Sequence, residues 1–441
     1  MHLLPFFEPF DGADAGFDPV DHLTVDPRLG TWDDVAALAE RFDVTADVIV
    51  NHVSADSPQF ADVLERGAAS PHDGMFLTLG GVFGGGATEA DLLRIYRPRP
   101  GLPFTPVTVG GERRLAWTTF TPAQMDLDVA DPATTAYHDA ILDRMAASGV
   151  RMLRLDAVGY AVKTAGTSCF MTPETFAFID SLTERAHARG LEVLVEIHSH
   201  YALQVEVGDR VDRVYDFALP PLVLHALIAA DAAPLRRWLE IRPANAITVL
   251  DTHDGIGVID VAADGASPEL AGLLDTHQID ALVEAIHANS GGASRLATGA
   301  AASNVDLYQV NCTYYDALGR DNLRYLLARA LQLFVPGIPQ IYYVGLLAGE
   351  NDVERLERTG VGRDINRHAY SEAEVAAALE RPVVQCLLDL IRLRNEHPAF
   401  DGSFTHAEPE PGVLELAWRA GPRQAVLRAR LAEGTYELDC S

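Results

Sequence analysis

The sequence is poor in cysteine and lacks long apolar runs. Its 441 residues include only four cysteines, which are scattered without paired spacing. This scatter favours isolated reduced thiols in a cytoplasmic protein over disulfide bonds or a metal site. No apolar run reaches the roughly 18 to 20 residues that span a bilayer. We expect no signal peptide in the first ten residues, because they have no basic flank and no small-residue cleavage site.

Positive charge is also scarce. Lysine and arginine together number 34 against 63 aspartate and glutamate residues, so the formal net charge is −29. A charge of this size and sign argues against nucleic acid and anionic membranes as partners. It would also repel an anionic substrate unless arginines gather locally. With 48% hydrophobic and 22% charged residues, the composition is that of a soluble globular protein.

Short apolar, β-branched runs alternate with amphipathic stretches along most of the chain. This alternation predicts βαβ units and a parallel sheet. The predicted strands cover residues 2–6, 44–51, 150–158, 192–198, 213–219, 246–254 and 338–345, and the predicted helices include residues 31–41, 133–147, 173–189 and 322–334. A (β/α)8 TIM barrel is favoured over a doubly wound sheet, because no Gly-rich turn follows an early strand.

Two long segments interrupt the alternation, and a third region changes its period. Residues 51–131 and 255–319 are too long to be simple loops, so each is expected to be an inserted subdomain. After about residue 400 the polar-apolar alternation predicts a small antiparallel β domain. The expected organisation is therefore a barrel at residues 1–50, 132–254 and 320–399, subdomains B and B′ at 51–131 and 255–319, and a C-terminal β domain at 400–441.

The number of predicted parallel strands is one short of a closed barrel. An α/β barrel needs eight strands, whereas the sequence predicts seven. We therefore expect the first strand and its helix to be missing from this chain. The gap would leave two unpaired sheet edges, so the chain as given is expected to fold poorly or aggregate.

Reactive side chains stand at the ends of several predicted strands. Arg154 and Asp156 close one strand, Glu196 follows the next, and Asp254 follows a later one. A single acid at a strand end is well explained as a buried hydrogen-bonded residue or a helix cap. Several such ends, in order on one architecture, instead indicate an active site at the carboxyl end of a barrel.

Three acids in this arrangement suit retaining glycosyl transfer. One carboxylate attacks the anomeric carbon, and a second donates a proton to the departing oxygen and later recovers it. We expect Arg154 to keep the nucleophile Asp156 ionised, because the two lie two residues apart on one strand face. Glu196 is expected to hold the proton at the start. Asp254 is expected to stabilise the oxocarbenium-like transition state.

Four segments, DVIVNH, RLDAVGY, VEIHSH and DTHDGIGV, resemble in order and spacing the four characteristic regions of the α-amylase clan of glycoside hydrolases. Six further segments resemble those of the sucrose phosphorylase family, and the resemblance covers nearly the whole chain. They are LPFFEPFDGADAGFDPVDH, IYRPRPGLPFT, AGTSCFMTPETF, VDRVYDFALPPL, TGAAASNVDLYQVN and GRDINRH. The resemblance implies conversion of sucrose and phosphate to α-glucose 1-phosphate and fructose by double displacement with retention, and it suggests a homodimer.

The resemblance also implies roles for residues around the three acids. The residues that would enclose the glucosyl ring are Asp14, Phe17, His52, Arg154, His253 and Arg363, with Phe120 and Tyr160 as pocket walls. The residues that would face the fructosyl side or the acceptor are His198, Asp306, Tyr308 and Gln309. Arg99 and Arg363 are the expected phosphate ligands, since arginine offers planar bidentate donors.

No cofactor and no metal is expected, because His198 and His200 have no third ligand in the sequence pattern. Three alternatives remain open at this point. One is a related phosphorylase acting on glucosylglycerol, glucosylglycerate or sucrose 6-phosphate, another is an α-glucosidase, and the third is an inactive truncated barrel. The first two differ from a sucrose phosphorylase in their acceptor loops.

Overall fold

The computed structural model describes residues 1–12, 14–98, 101–264, 270–297 and 309–441. They form two compact units. The first unit comprises Met1–Ile197 with Arg210–Arg213, and the second comprises His198–Asp209 with Val214–Ser441. The domain limits predicted from the sequence stay predictions.

The first unit is built on a parallel sheet. The strands of the whole unit are β1 (His2–Leu3), β2 (Phe7–Glu8), β3 (Asp21–Val25), β4 (Val44–Ile49), β5 (His52–Ser54), β6 (Phe104–Val109), β7 (Glu112–Trp117), β8 (Gln124–Asp126), β9 (Val150–Asp156) and β10 (Glu192–Val195). Strands β1, β4, β9 and β10 pair in that order, all parallel. Most of their apolar side chains are buried, as expected of a parallel sheet covered on both faces.

Helices of the first unit start where the sequence carries capping residues. They are α1 (Trp32–Ala39), α2 (Pro58–Arg66), α3 (Leu79–Val82), α4 (Glu89–Arg94), α5 (Pro132–Ala147) and α6 (Pro173–His187), with 3₁₀ turns at Gly67–Ala69, Asp73–Met75 and Val158–Tyr160. Asp131 and Thr172 cap α5 and α6, and each is followed by proline at the first helical position. The helices predicted at residues 133–147 and 173–189 are therefore confirmed with small shifts of their ends.

Two antiparallel pairs lie within residues 51–131. Strands β6 and β7 form a hairpin whose turn residues Gly110 and Gly111 both have positive φ, of 55° and 87°. Strands β5 and β8 pair with His52 opposite Asp126. This second pairing joins the end of β4 to a distant stretch of the chain, and it matters for the site described below.

A buried histidine stabilises the first unit in its neutral form. The main-chain N–H of Ile49 donates to His22 Nε2 at 3.2 Å, so Nε2 carries no proton. The Nδ1–H group of His22 then donates to the hydroxyl of Tyr137 at 3.1 Å. Burial lowers the pKa of His22 to about 3. A proton on Nε2 would face the Ile49 N–H group, so the site resists protonation.

We therefore expect acid to destabilise the protein through His22. The pKa of His22 in the folded protein lies below its value of about 6.5 in the unfolded chain. The contribution of neutral His22 to the free energy of unfolding is therefore present above pH 6.5 and is lost as the pH falls towards 3. Between pH 6.5 and 5 the loss is about 2 kcal/mol of unfolding free energy. Urea titrations should show a shallower pH dependence for His22→Gln, whereas the exposed-residue control His277→Gln keeps the wild-type slope. Equal slopes for His22→Gln and wild type would contradict this assignment.

The second unit continues with a parallel series and ends in an antiparallel sheet. Its strands are β11 (Arg213–Asp216, whose first residue belongs to the first unit), β12 (Ala246–Thr248), β13 (Ile256–Gly257), β14 (Gln309–Val310), β15 (Ile338–Pro339), β16 (Ser403–Glu410), β17 (Val413–Ala420), β18 (Arg423–Arg430) and β19 (Thr435–Cys440). Strands β11, β12 and β15 are parallel, and β13 pairs antiparallel with β14. Strands β16 to β19 pair antiparallel in sequence order, which confirms the predicted C-terminal β region.

Helices of the second unit separate several of these strands along the chain. They are α7 (Tyr201–Gly208), α8 (Leu219–Ala229), α9 (Ala233–Ile241), α10 (Thr276–Asn289), α11 (Ala293–Leu296), α12 (Tyr314–Ala317), α13 (Asn322–Phe334), α14 (Tyr343–Leu346), α15 (Val353–Thr359), α16 (Glu372–Leu379) and α17 (Pro382–Glu396), with 3₁₀ turns at Ile259–Val261, Gly362–Asn366 and Pro398–Asp401. Helix α13 matches its predicted bounds. The indole N–H of Trp418 on β17 donates to the Phe334 carbonyl at the end of α13, at 2.7 Å.

All seven strands predicted from the sequence extend past the observed strands, and two of them do so by six residues. The strand predicted at residues 246–254 ends at Thr248, and the one predicted at 338–345 ends at Pro339, after which Tyr343 begins helix α14. A short apolar and aromatic run such as IYYV is compatible with either a buried strand or a buried helix, so its periodicity could not decide between them.

Candidate active site

The carboxyl ends of three neighbouring strands bring acids together in the first unit. In the pairing of β4 with β9, Asp47 lies opposite Arg154 and Ile49 lies opposite Asp156. In the pairing of β9 with β10, Leu155 lies opposite Val195, so Asp156 and Glu196 follow at the same level. The parallel register therefore places these side chains at one edge of the sheet, as the sequence predicted.

Arg154 connects three carboxylates at this edge. Its guanidinium contacts Asp47, reaches Asp156 Oδ1 at 3.0 Å and reaches Glu196 Oε1 at 2.7 Å. The side chain is 2% exposed. A planar guanidinium with five donors can hold several carboxylates in fixed directions, which a lysine could not do. Arg154 thereby fixes the orientation of the two proposed reacting acids.

Asp47 is a buried counter-ion of Arg154 in this cluster. It lies fully buried between Arg154 and His2, whose Nε2 is 3.0 Å from Asp47 Oδ2. Burial alone would raise its pKa, but Arg154 and then His2 outweigh burial and lower the pKa of Asp47 to about 2. Its charge therefore neutralises much of the Arg154 charge. The sequence analysis assigned no role to Asp47.

The ionisation of Asp156 depends on its burial and on its neighbours Glu196 and Arg154. Burial, followed by the neighbouring Glu196 carboxylate, raises the pKa of Asp156 well above its ordinary value. Arg154 opposes this shift, as expected from the sequence, but does not outweigh it. The side chains of Asp156 and Glu196 lie within hydrogen-bonding reach of each other. Arg154 therefore does not by itself hold Asp156 ionised, contrary to the expectation from the sequence.

A second group of predicted residues gathers around His52 in the first unit. Its Nε2–H group donates to the Phe17 carbonyl at 2.8 Å, and its Nδ1 accepts from the Asn51 amide at 3.3 Å. Burial lowers the pKa of His52, so the ring is neutral. The Gln124 amide also contacts His52 Nε2 at 3.0 Å and reaches Asp14 Oδ2 at 3.3 Å. Gln124 was missed because a glutamine on a short strand gives no distinctive pattern.

Two aromatic rings, those of Phe120 and Tyr160, lie near His52. The Phe120 ring lies 5.4 Å from the His52 ring and 5.1 Å from the Tyr160 ring, measured between centroids. Tyr160 closes the 3₁₀ turn that follows Asp156. The structure thus brings together His52, Phe120 and Tyr160, as the resemblance implied, and we call these three residues the ring wall.

In the second unit, Asp254 is held by the GRDINRH segment. Arg363 Nη1 lies 2.8 Å from Asp254 Oδ1, and Arg367 Nη2 lies 3.6 Å from the same atom. The Asn366 amide donates to the Asp254 carbonyl at 2.9 Å. Although burial acts to raise it, the pKa of Asp254 lies below its usual value because Arg363, His253 and Arg367 outweigh burial. Asp254 is therefore an ionised carboxylate.

Arg367 and Asn366 were missed by the sequence analysis. The 3₁₀ turn Gly362–Asn366 brings both side chains towards the DTHD segment, and Arg367 Nε also donates to the His253 carbonyl at 2.7 Å. Helix α13 anchors the start of the same segment, because buried Arg329 pairs with Asp251 at 2.5 Å. Asp254 is thus fixed both through its own contacts and through those of its chain neighbours.

The predicted acceptor residues are only partly described. His198 Nδ1 lies 3.1 Å from Asp260 Oδ2, and its ring stacks on Phe217 with centroids 3.8 Å apart. The Gln309 side chain accepts from the Gly255 N–H group at 3.1 Å. Arg99, Asp306 and Tyr308 lie outside the described residues. None of the described helices is long and apolar enough to cross a membrane.

Comparison with known proteins adds independent information, although no protein-family model matches the chain. The chain is 59% identical to a sucrose phosphorylase of Agrobacterium vitis, covering 100% of this chain and 90% of the relative. It is 56% identical to a sucrose phosphorylase of Bifidobacterium adolescentis, covering 97% of this chain and 85% of the relative.

Solved structures with similar folds support the same assignment. The sucrose 6F-phosphate phosphorylase from Thermoanaerobacter thermosaccharolyticum superposes with a TM-score of 0.91 at 38% identity, covering 100% of this chain and 88% of that one. An α-amylase from H. orenii superposes with a TM-score of 0.68 at 16% identity, covering 98% and 79%. The fold is that of the α-amylase-type barrel enzymes, as predicted. At the identities and coverage given above, the chain belongs to the sucrose phosphorylase family.

Proposed function

We propose that this chain is a hexosyl-transferring enzyme that moves the glucosyl group of sucrose to phosphate, giving α-glucose 1-phosphate and fructose. The observation that carries the proposal is the identity of 59% and 56% to two sucrose phosphorylases over nearly the whole chain. The arginine-bound pair of Asp156 and Glu196 supports it, because retaining transfer needs two adjacent carboxyl groups of different protonation.

In the proposed first step, Asp156 attacks as a carboxylate at the anomeric carbon while a proton on Glu196 passes to the fructosyl oxygen. The C–O bond to fructose breaks, and a glucosyl ester of Asp156 forms. In the second step, phosphate attacks the same carbon, the ester bond to Asp156 breaks, and the phosphate proton passes to Glu196, so that both acids return to their starting forms. Two inversions retain the α configuration. Arg154 serves both steps by holding the two carboxyl groups in fixed positions.

We propose that Asp254 stabilises positive charge on the sugar ring in both transition states. Its low pKa keeps it ionised through the reaction, so it offers a fixed negative charge rather than a proton. The proposed glucosyl contacts remain Asp14, Phe17, His52, His253 and Arg363, with Phe120 and Tyr160 as walls. Because Arg363 already pairs with Asp254, its proposed role at the sugar depends on that ion pair.

Phosphate rather than water is proposed as the acceptor. In a chain of net charge −29, a phosphate anion needs local positive charge. Arg99 and Arg363 are the proposed sources, and His198, Asp306, Tyr308 and Gln309 are proposed to contact fructose or the acceptor. We further propose that the enzyme is cytoplasmic and acts as a homodimer.

A donor panel tests the proposal and its alternatives. Sucrose, sucrose 6-phosphate, glucosylglycerol and glucosylglycerate are each incubated with and without phosphate, and glucose 1-phosphate and glucose are measured separately. We expect phosphate-dependent glucose 1-phosphate release with sucrose as the preferred donor. Preference for another donor would indicate one of the related phosphorylases, and glucose release independent of phosphate would indicate an α-glucosidase.

A further inference from the structure

Lys163 is the only lysine among the 34 lysine and arginine residues of the chain. It lies three residues after Tyr160, in the segment that follows strand β9. Its side chain is 1% exposed. Since arginine serves at every other basic position, the use of lysine at this buried position points to a requirement that a guanidinium does not meet.

The ammonium group of Lys163 is enclosed by oxygen atoms. Nζ lies 2.7 Å from Asp126 Oδ2 and 2.8 Å from Asn51 Oδ1, and it also donates to the main-chain carbonyl of Tyr160. An ammonium has three donors, and each has an acceptor here. The acceptors converge on a point, which suits a compact ammonium and not a planar fork. The Trp117 ring, with its centroid 5.8 Å from Nζ, adds a cation–π contact.

Each acceptor belongs to a segment that leads to one residue of the ring wall. Asn51 precedes His52 and donates to its Nδ1 at 3.3 Å. Asp126 accepts from the main-chain N–H of Thr119 at 3.0 Å and from its hydroxyl at 2.5 Å, and Thr119 precedes Phe120.

The third acceptor is the carbonyl of Tyr160 itself. Residues 51, 119–126 and 160 are far apart in the sequence, and the ammonium contacts all three acceptor segments. One buried ammonium therefore links the three segments that carry the rings of the wall, in addition to the direct contacts between the rings.

We propose that Lys163 is a positioning residue, an internal cation that holds the ring wall in place for the glucosyl group. This inference rests on the proposed function only in taking the ring wall as a glucosyl-binding surface. Lys163 acts through His52, Phe120 and Tyr160, and the charge, rather than the bulk of the side chain, is what the three segments require.

Chemical rescue tests this proposal. In Lys163→Ala, propylammonium reproduces the part of the side chain that is removed, and 1-propanol is the neutral control. We expect the variant to lose about 5 °C or more in Tm and about tenfold or more in kcat/KM, mainly through KM for the donor. Propylammonium is expected to recover part of both losses, and 1-propanol to recover neither.

Three further variants complete the test. Lys163→Met retains the bulk without the charge, so it should fold, show a raised KM and gain nothing from propylammonium. Lys163→Arg should not restore the wild-type KM. Arg114→Ala removes a cation of the same unit, one that pairs with Asp73 at 2.7 Å away from the ring wall, and propylammonium should not change its Tm.

Specific results would overturn the inference. They are a wild-type KM in Lys163→Met, or a Tm of Lys163→Ala that propylammonium raises no more than 1-propanol does. The Tm measurements contain no substrate, so they test the inference even if the donor is not sucrose. Absence of glucose 1-phosphate formation by the wild-type protein would instead refute the proposed function.

Discussion

Asp156→Asn is expected to lower the rate of glucosyl transfer by about 10⁵-fold or more, the size of loss seen when a covalent nucleophile is removed. Asparagine keeps the size of the side chain but cannot form the glucosyl ester. The loss should appear in kcat for every donor, including α-glucosyl fluoride, because the missing group is the nucleophile and not the acid. Initial rates of fluoride or fructose release measure it.

Asp43→Asn is the matched control, because the Asp43 side chain is 91% exposed. It should retain wild-type rates with both donors. Thermal melts of both variants separate a chemical defect from an unfolded protein. A folded Asp156→Asn variant with more than about one-hundredth of the wild-type rate would remove Asp156 from the nucleophile's role, since acid–base or binding effects alone reach that size.

The loss of rate in Glu196→Gln is expected to depend on the leaving group of the donor. Fructose needs a proton as it departs, so the variant should lose about 10² to 10⁴-fold with sucrose. Fluoride departs without general-acid help, so the first step with α-glucosyl fluoride should be nearly unaffected. Burst-phase fluoride release measures that step.

The other acid that borders strand β10 supplies the control for this variant. Glu192 begins the strand, whereas Glu196 follows its end, and the Glu192 side chain is 43% exposed. Glu192→Gln should behave as wild type with both donors. Equal losses with sucrose and α-glucosyl fluoride in Glu196→Gln would contradict its assignment as the proton donor.

The acids of the candidate site could be predicted because strand ends can be recognised in a sequence. Buried β-branched runs followed by a charged residue mark the carboxyl edge of a parallel sheet, and the register of β4, β9 and β10 did bring Asp156 and Glu196 together. The ionisation of Asp156 could not be predicted in the same way. It depends on burial and on the distance between carboxyl groups, neither of which a linear pattern contains.

The supporting residues were also beyond sequence reasoning. Two of the Lys163 acceptors, Asn51 and Asp126, are brought together by the pairing of β5 with β8, and no local sequence pattern indicates this pairing. Arg367 reaches Asp254 only because residues 362–366 form a 3₁₀ turn. Contacts between segments distant in sequence depend on the tertiary fold, so short motifs indicate the proposed reacting groups and omit the residues that hold them.

The anomeric configuration of the first sugar phosphate formed tests the central proposal most directly. Wild-type protein is mixed with sucrose and phosphate, and proton NMR spectra are recorded before the product can equilibrate. The double displacement at Asp156 predicts α-glucose 1-phosphate, formed together with an equal amount of fructose and only when phosphate is present. Formation of β-glucose 1-phosphate, or of glucose at a rate independent of phosphate, would contradict it.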